Sequence, residues 1–411
     1  MSQSMTLADY RRALNTPGAR VPVLASLLGR WPIAMFAMAL LLYVQRVSSS
    51  FAIAGMISAG ALTGVAVGAV VQGRIMDRIG PSLPLYVTSL LFVAAVTTAI
   101  TAIELDAPGS ILVGLAFLLG VTQPNVESAS RALWQHLLPP GRLRQAAVSY
   151  EAISLEVFFI LGPGVAALLV AAPWPGTGML VATSCTVLGS VWFATTRAAR
   201  TQRPEPAKPG GSLLGAIAAP GMRTVALAAM GFGVLIGYIE VAIPAAAVEA
   251  GQPTMGGVLI SLMSVTSVLV GIIYGVHPWP RPMHLRLPAL LIGFAGLIAV
   301  LAIPDSLWGL CVALLVAGCL ITPQSTAHSV AIEITAPRGS AAEAFAWVVT
   351  SVTLGAAFGH STSGQLIELS DPGTAFLAAG ALGGLFTLIV WLRRATLQPA
   401  RETSELEPAV G

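Results

Sequence analysis

"VVQGRIMDRIGPSLPL", residues 70–85, sets Arg74, Asp77 and Arg78 within five positions of a chain in which only 9% of residues are charged. The runs on either side, 49–72 and 84–103, are apolar. Each is long enough to cross a bilayer, for which a helix needs about 20 residues. Two crossings joined by a short charged turn make this stretch a surface loop of a helical membrane protein.

The whole chain agrees with that loop. Its 411 residues are 55% hydrophobic, with a mean hydropathy of +0.82, whereas about a quarter of a soluble protein is charged. A water-soluble fold has no way to hide so much apolar surface, but a bilayer accepts it provided every backbone polar group is satisfied within helices. The formal charge of +3 is therefore a matter of topology rather than of nucleic-acid binding. Cys185, Cys311 and Cys319 lie inside apolar runs without metal-ligand or disulfide spacing. Neither a P-loop nor a dinucleotide-binding glycine loop follows a strand, so no cofactor is expected. The first apolar run is longer than the core of a signal peptide, so the N-terminus is expected to be retained.

Breaking the apolar runs at charge and Gly/Pro clusters predicts twelve spans, near 21–44, 49–72, 84–103, 110–135, 146–170, 178–196, 223–247, 256–276, 287–303, 307–331, 344–366 and 375–392. Arg30, Arg46 and Arg131 fall within or at the outer end of a span; every other Lys and Arg falls on the side of the N-terminus. The positive-inside rule makes that side cytoplasmic and places both termini there, in an inner, multi-pass membrane location. The Pro- and Gly-rich stretch 197–222 reads as a linker between a six-helix bundle over 1–196 and a second over 223–392, with a polar, disordered tail at 393–411. The halves echo one another. Residues 146–162 and 343–359 align without a gap, matching Ala147 with Ala344, Tyr150 with Trp347, Ser154 with Ser351 and Gly162 with Gly359, in spans five and eleven, as a duplicated transporter requires.

With the loop now placed between spans two and three, the sequence resembles the major facilitator superfamily. The family's loop signature, Gly-x-x-x-Asp-Arg/Lys-x-Gly followed by basic residues, is met by Gly73, Asp77, Arg78 and Gly80, with Pro81 and Ser82 in place of the trailing basic pair. The resemblance implies an all-α membrane fold of two pseudo-symmetric bundles, with a conformational latch in which the motif Asp engages span eleven in one state and releases it in the other. The second-half loop, "YGVHPWPRP", keeps Gly275 but carries Trp279 where Asp77 would align. Gly162 and Pro163 resemble the Gly-Pro-x-x-Gly-Gly element of the family's antiporters, with Ala166 and Ala167 at its last two positions; the pair is equally suited to a helix kink and a packing face.

Ionisable groups inside a span cost at least a few kcal/mol unless they are paired or face a water-filled cavity. Span one must begin near Val21 to be long enough, which buries Arg30. Span four carries Glu127 and Arg131 on one helix face, four residues apart. Span five carries Glu151 and Glu156, span seven Tyr238 and Glu240, and span ten Gln324 and His328. In the family, spans one, four, seven and ten line the central cavity, which makes Arg30, Glu127, Arg131, Tyr238, Glu240, Gln324 and His328 candidates for contact with substrate or proton. Glu151 and Glu156 join them as carboxylates inside span five, Glu156 near the bilayer midplane. His360 reads as a packed histidine. The expected function is alternating-access transport of a small organic, partly apolar molecule by a monomer, with protons as the coupling ion and efflux as the favoured direction. A proton-symport importer and a non-transporting sensor are the alternatives, and no intramembrane enzyme motif is present.

Overall fold

The computed structural model describes residues 7–139, 141–202, 215–276, 281–337 and 340–398. Among them the chain is helical, with no strand. The crossings are Arg20–Ser48, Phe51–Ile79, Ser82–Glu104, Gly109–Leu137, Arg142–Val170, Thr177–Thr195, Pro220–Glu249, Met255–Val276, Met283–Val300, Leu307–Thr335, Ala341–Leu369 and Pro372–Leu392, numbered here as spans one to twelve. Eleven of these helices are long and apolar enough to cross a membrane. Span eleven, 29 residues long, carries Thr350, Ser351, Thr353 and a run from His360 to Ser363 among its apolar residues.

Local chemistry sets several helix ends. Ser50, Asn125, Ser306 and Asp371 each accept a hydrogen bond from the backbone N–H three residues on, at 2.8–3.2 Å, satisfying donors that the first turn leaves open. The Thr374 backbone and hydroxyl both favour the charged form of Asp371, which holds that carboxyl below its usual range. Span two ends at Gly80, whose φ of +83° suits a residue without a Cβ.

Spans one, four and ten, three of those expected to line a central cavity, are interrupted. Span one turns at Trp31, between Arg30 and Pro32. Span four breaks over Gln123, Pro124 and Asn125, and the buried side chain of Gln72 on span two repairs the break: its amide donates to the carbonyls of Val121 and Gln123 at 2.9 and 2.8 Å, and its oxygen accepts from the Asn125 N–H at 3.0 Å. Span ten breaks at Cys319 and Leu320, where Thr322 and Ser267 of span eight share a 2.7 Å hydroxyl hydrogen bond. Irregular backbone at membrane depth survives only where protein groups supply such partners.

Both described chain ends lie on one face, called here the terminal face. The amphipathic helix Leu7–Leu14 docks there through an Asp9–Arg142 ion pair of 3.0 Å at the start of span five. Thr396, beyond span twelve, shares a 2.8 Å hydrogen bond with Thr224 near the start of span seven. Of the expected linker 197–222, 203–214 lies outside the described residues; the rest forms a short helix, Arg197–Thr201, a 3-10 turn, Gly215–Ala218, and, from Pro220, the first turn of span seven. Residues 399–411 of the expected tail and Trp279 of the second-half loop also lie outside them.

The distribution of the core defines the state of the molecule. In the half away from the terminal face a single buried apolar cluster runs through both bundles, from Met35 and Phe51 to Ile260 and Ile367. In the terminal half each bundle has clusters of its own, around Leu133 and Trp134 in the first and around Met222 and Ala331 in the second. The bundles thus share one apolar core on the far side and keep separate cores on the terminal side.

Candidate functional site

The far-side seal has two equivalent halves. A Cβ on Gly55 of span two would fall 2.3 Å from the carbonyl oxygen of His360 on span eleven, and one on Gly257 of span eight would fall 2.2 Å from that of Pro163 on span five. Small residues let these backbones touch, as helices in lipid require for close packing. Hydrogen bonds from Ser50 to Glu368, at 3.1 Å, and from the Gly164 N–H to Ser261, at 3.0 Å, add to the seam. Replacing Gly257 with Leu should force spans five and eight apart. Alkylation of an Ala52→Cys probe at the far end of span two, in a background lacking the native cysteines, should then rise several-fold; unchanged labelling would show that this contact does not hold the far side shut.

Within the seam, Glu240 of span seven and His360 of span eleven form a pair at 2.7 Å between Oε2 and Nε2. His360 is almost wholly buried, Glu240 is one-quarter exposed, and His360 Nδ1 has no partner among the described residues. The pair borders a cavity of about 20 Å³, walled by Met38, Leu41, Phe159, Pro163 and Ile260 from both bundles. A space of that size holds about one water molecule. The pair thus sets an imidazole and a carboxylate, the two side-chain types used for proton exchange near neutral pH, in direct contact beside the seam. His360, read from the sequence as a packed histidine, is half of a buried carboxylate–imidazole pair at the seam.

The other buried charges sit deeper in the first bundle. Arg30, at the turn of span one, meets Glu151 of span five in an ion pair with both side chains no more than 2% exposed. Glu151 also accepts from Ser130 Oγ at 2.7 Å and Trp134 Nε1 at 2.8 Å, both on span four beyond its break. Arg30 donates to the Glu151 carbonyl at 3.3 Å and lies 5.8 Å over the Phe158 ring. Glu151 and Arg30, expected as cavity residues, are instead locked together, tying spans one, four and five.

Glu127 and Arg131 pair along span four at 2.5 Å, both partly exposed, and the Arg131 guanidinium lies 5.3 Å over Phe345 at the start of span eleven. That stack crosses between the bundles on the terminal side. Glu156 is half-buried and has no hydrogen-bond or ion partner among the described residues. Gln324 and His328 are buried along span ten, 3.3 Å apart, with His328 against the Phe232 ring of span seven; they pack inside the second bundle rather than at the seam. Tyr238 is buried in the shared core, beside Thr362. Span five runs as a helix through Gly162 and Pro163. Gly162 presses on Ala34 and Met35 of span one while Pro163 presses on Gly257, so the pair serves as a packing face on two sides.

Gly73, Asp77 and Arg78, expected in a loop between spans two and three, instead lie on the last turns of span two, which stays helical to Ile79 with Gly80 as its cap; Gly73 has open space around it, and Asp77 and Arg78 are exposed. Gly80 lies against Gln202, in the segment leaving span six.

A family model described as the Major Facilitator Superfamily matches residues 23–342. An uncharacterised MFS-type transporter, y4rN, of Sinorhizobium fredii is 28% identical over 183 residues, covering 43% of this chain and 44% of that protein, so the match spans less than half the length of this relative. Among solved structures, a nucleoside transporter, NupG, in mutant form, superposes with a TM-score of 0.70 at 12% identity, covering 91% of this chain and 99% of its own. A bacterial homologue of the iron transporter ferroportin, in an inward-facing state, gives 0.68 at 14% identity, covering 94% and 99%. A mutant of the peptide transporter POT gives 0.67 at 15% identity, covering 92% and 94%. At these identities the structural likeness is one of fold.

Proposed function

Since the chain belongs to the major facilitator superfamily, we propose that it is a secondary transporter that works by alternating access and moves a small organic, partly apolar molecule in exchange for protons. The observation that carries this reading is the Glu240–His360 pair. It joins two helices of the second bundle at the seam against the first, and the carbonyl of His360 is itself the surface on which Gly55 rests. A proton gained or lost by the pair changes the charge beside the closed seal, so proton occupancy and opening of the far side share one element.

The same reading gives roles to the remaining groups. The clustering of Lys and Arg makes the terminal face cytoplasmic, so the present arrangement faces inward, in the inner membrane, and the transporter acts as a monomer. Met38, Leu41, Phe159 and Ile260 keep the space beside the pair apolar and about one water wide while the far side is shut. Glu127, Arg131 and Phe345 form the polar threshold on the cytoplasmic side. Gly73, Asp77, Arg78 and Gly80 form a latch that engages span eleven when the cytoplasmic side closes. Efflux is supported by the resemblance of Gly162 and Pro163 to the antiporter element. The test is reconstitution in vesicles carrying an internal pH dye: an acid interior should drive candidate substrates inward as protons leave. Substrate moving in the same direction as protons would make the protein a symporter, and flux without any pH change would remove the proton from the mechanism.

A further inference from the structure

A groove of about 390 Å³ runs between spans seven and eleven at the terminal face, lined by Arg223, Leu227, Met230, Trp347, Leu354 and Arg393 among others. Its position on the two helices shows which way it opens. On span eleven, Phe345 and His360 point towards the first bundle, and Trp347 and Leu354 lie on the opposite side by helical rotation. On span seven, Phe232 and Ala228 face span ten, and Arg223, Leu227 and Met230 lie opposite them. The groove thus opens away from the seam, onto the surface on which Leu354 and Phe358 are also exposed.

We propose that this groove binds an anionic glycerophospholipid of the leaflet at the terminal face. Both guanidiniums are held by their own chain through Nε, Arg223 on the Ile217 carbonyl at 3.1 Å and Arg393 on Thr224 Oγ at 3.0 Å. Their terminal amines have no partner, and neither arginine an ion pair, among the described residues. Two preset cations at the membrane surface match a phosphodiester, to which Arg is the better-shaped donor. Glu343, on the first turn of span eleven, reaches Gly215 near the mouth of the groove and pairs with neither. Arg223 stands in the first turn of span seven, and Met230 lies seven residues on, roughly 10 Å deeper at the α-helical rise. The groove therefore runs from headgroup depth into hydrocarbon, with Leu227, Met230 and Leu354 available to an acyl chain and Trp347 between the two zones. A soluble anion would have no use for that apolar floor. The inference does not depend on proton coupling or on the substrate.

The test is native mass spectrometry of the full chain in detergent, titrated with phosphatidylglycerol, phosphatidylcholine or glycerol 3-phosphate. Phosphatidylglycerol should be retained at least several-fold better than phosphatidylcholine. Arg223→Gln, which leaves the Thr224 contact intact, should remove most of that preference, and the double variant with Arg393→Gln should abolish it. Met230→Trp, which fills the groove with both arginines in place, should also release the lipid. Equal retention of the two lipids, or full retention by Arg223→Gln and Met230→Trp, overturns the proposal. Displacement of the lipid by equimolar glycerol 3-phosphate also overturns it, since the site would then belong to a soluble phosphate.

Discussion

Glu240→Gln should yield a folded protein that exchanges substrate across a vesicle membrane but no longer moves protons with it. Glutamine keeps the size of the side chain and an oxygen able to accept from His360 Nε2, so the contact observed at 2.7 Å has a neutral replacement. What it lacks is an ionised state. If the pair is where proton occupancy biases the two conformations, its loss removes a coupling free energy of about 1–3 kcal/mol, an effect of about 5–150-fold on uphill accumulation. His360→Gln, whose amide nitrogen can stand in for Nε2, should give the same result. The two variants combined should do no further harm, because groups acting as one unit are not additive. Counterflow of labelled substrate with no imposed gradient is the control: it needs both conformations but no net proton movement. Should proton movement survive in both variants, the coupling carboxylate lies elsewhere, and Glu156, half-buried and without a partner among the described residues, is the next to change.

Much of this architecture was legible in the residues themselves, because the bilayer imposes one-dimensional rules. Apolar runs mark the crossings, the placement of Arg and Lys orders the loops, and Gly73 to Gly80 marks one turn as special. The gapless match of 146–162 with 343–359 falls in helices five and eleven, each 29 residues long and longer than the 146–170 and 344–366 read from the sequence. Pairings across the bundles were not legible, since they depend on helix rotation and on tertiary contact. Glu240 and His360 are 120 positions apart, and nothing in the local pattern of span eleven distinguishes a seam histidine from a packed one. A signal was nonetheless present: carried one position further, the repeat aligns Pro163 with His360, and these two carbonyls form the matched halves of the seal. Gln72 was equally silent, because its role as the cap of a break in span four exists only once spans two and four touch. Arg30 and Glu151 each stood out as costly to bury, yet only the fold shows that each is the other's remedy.

Arg30→Ala should be the most destabilising single change in the first bundle. Removing one partner of a buried ion pair strands the other, at a cost of about 3–5 kcal/mol, a large share of a typical total stability of about 5–15 kcal/mol. Ser130 and Trp134 would still donate to Glu151, which softens the loss but supplies no counter-charge. The turn at Trp31 would also lose its tie to the Glu151 carbonyl, and Phe158 the cation stacked on it. The measurement is the thermal midpoint of detergent-solubilised protein by size-exclusion chromatography, where Arg30→Ala should leave little monodisperse material. Arg30→Lys should lie between it and the parent, keeping the charge but losing the fork that reaches both the carboxylate and the backbone. Neutralising both members, Arg30→Met with Glu151→Gln, should recover most of the midpoint, because Gln still accepts from Ser130 and Trp134 and no charge is left buried. Transport by that recovered variant separates two roles: full activity makes the pair a fastener of spans one, four and five, whereas a stable but inactive protein means that the pair must open during the cycle. A midpoint unchanged in Arg30→Ala would mean that water reaches Glu151, and the first bundle would then hold a wet site where the packing shows a sealed one.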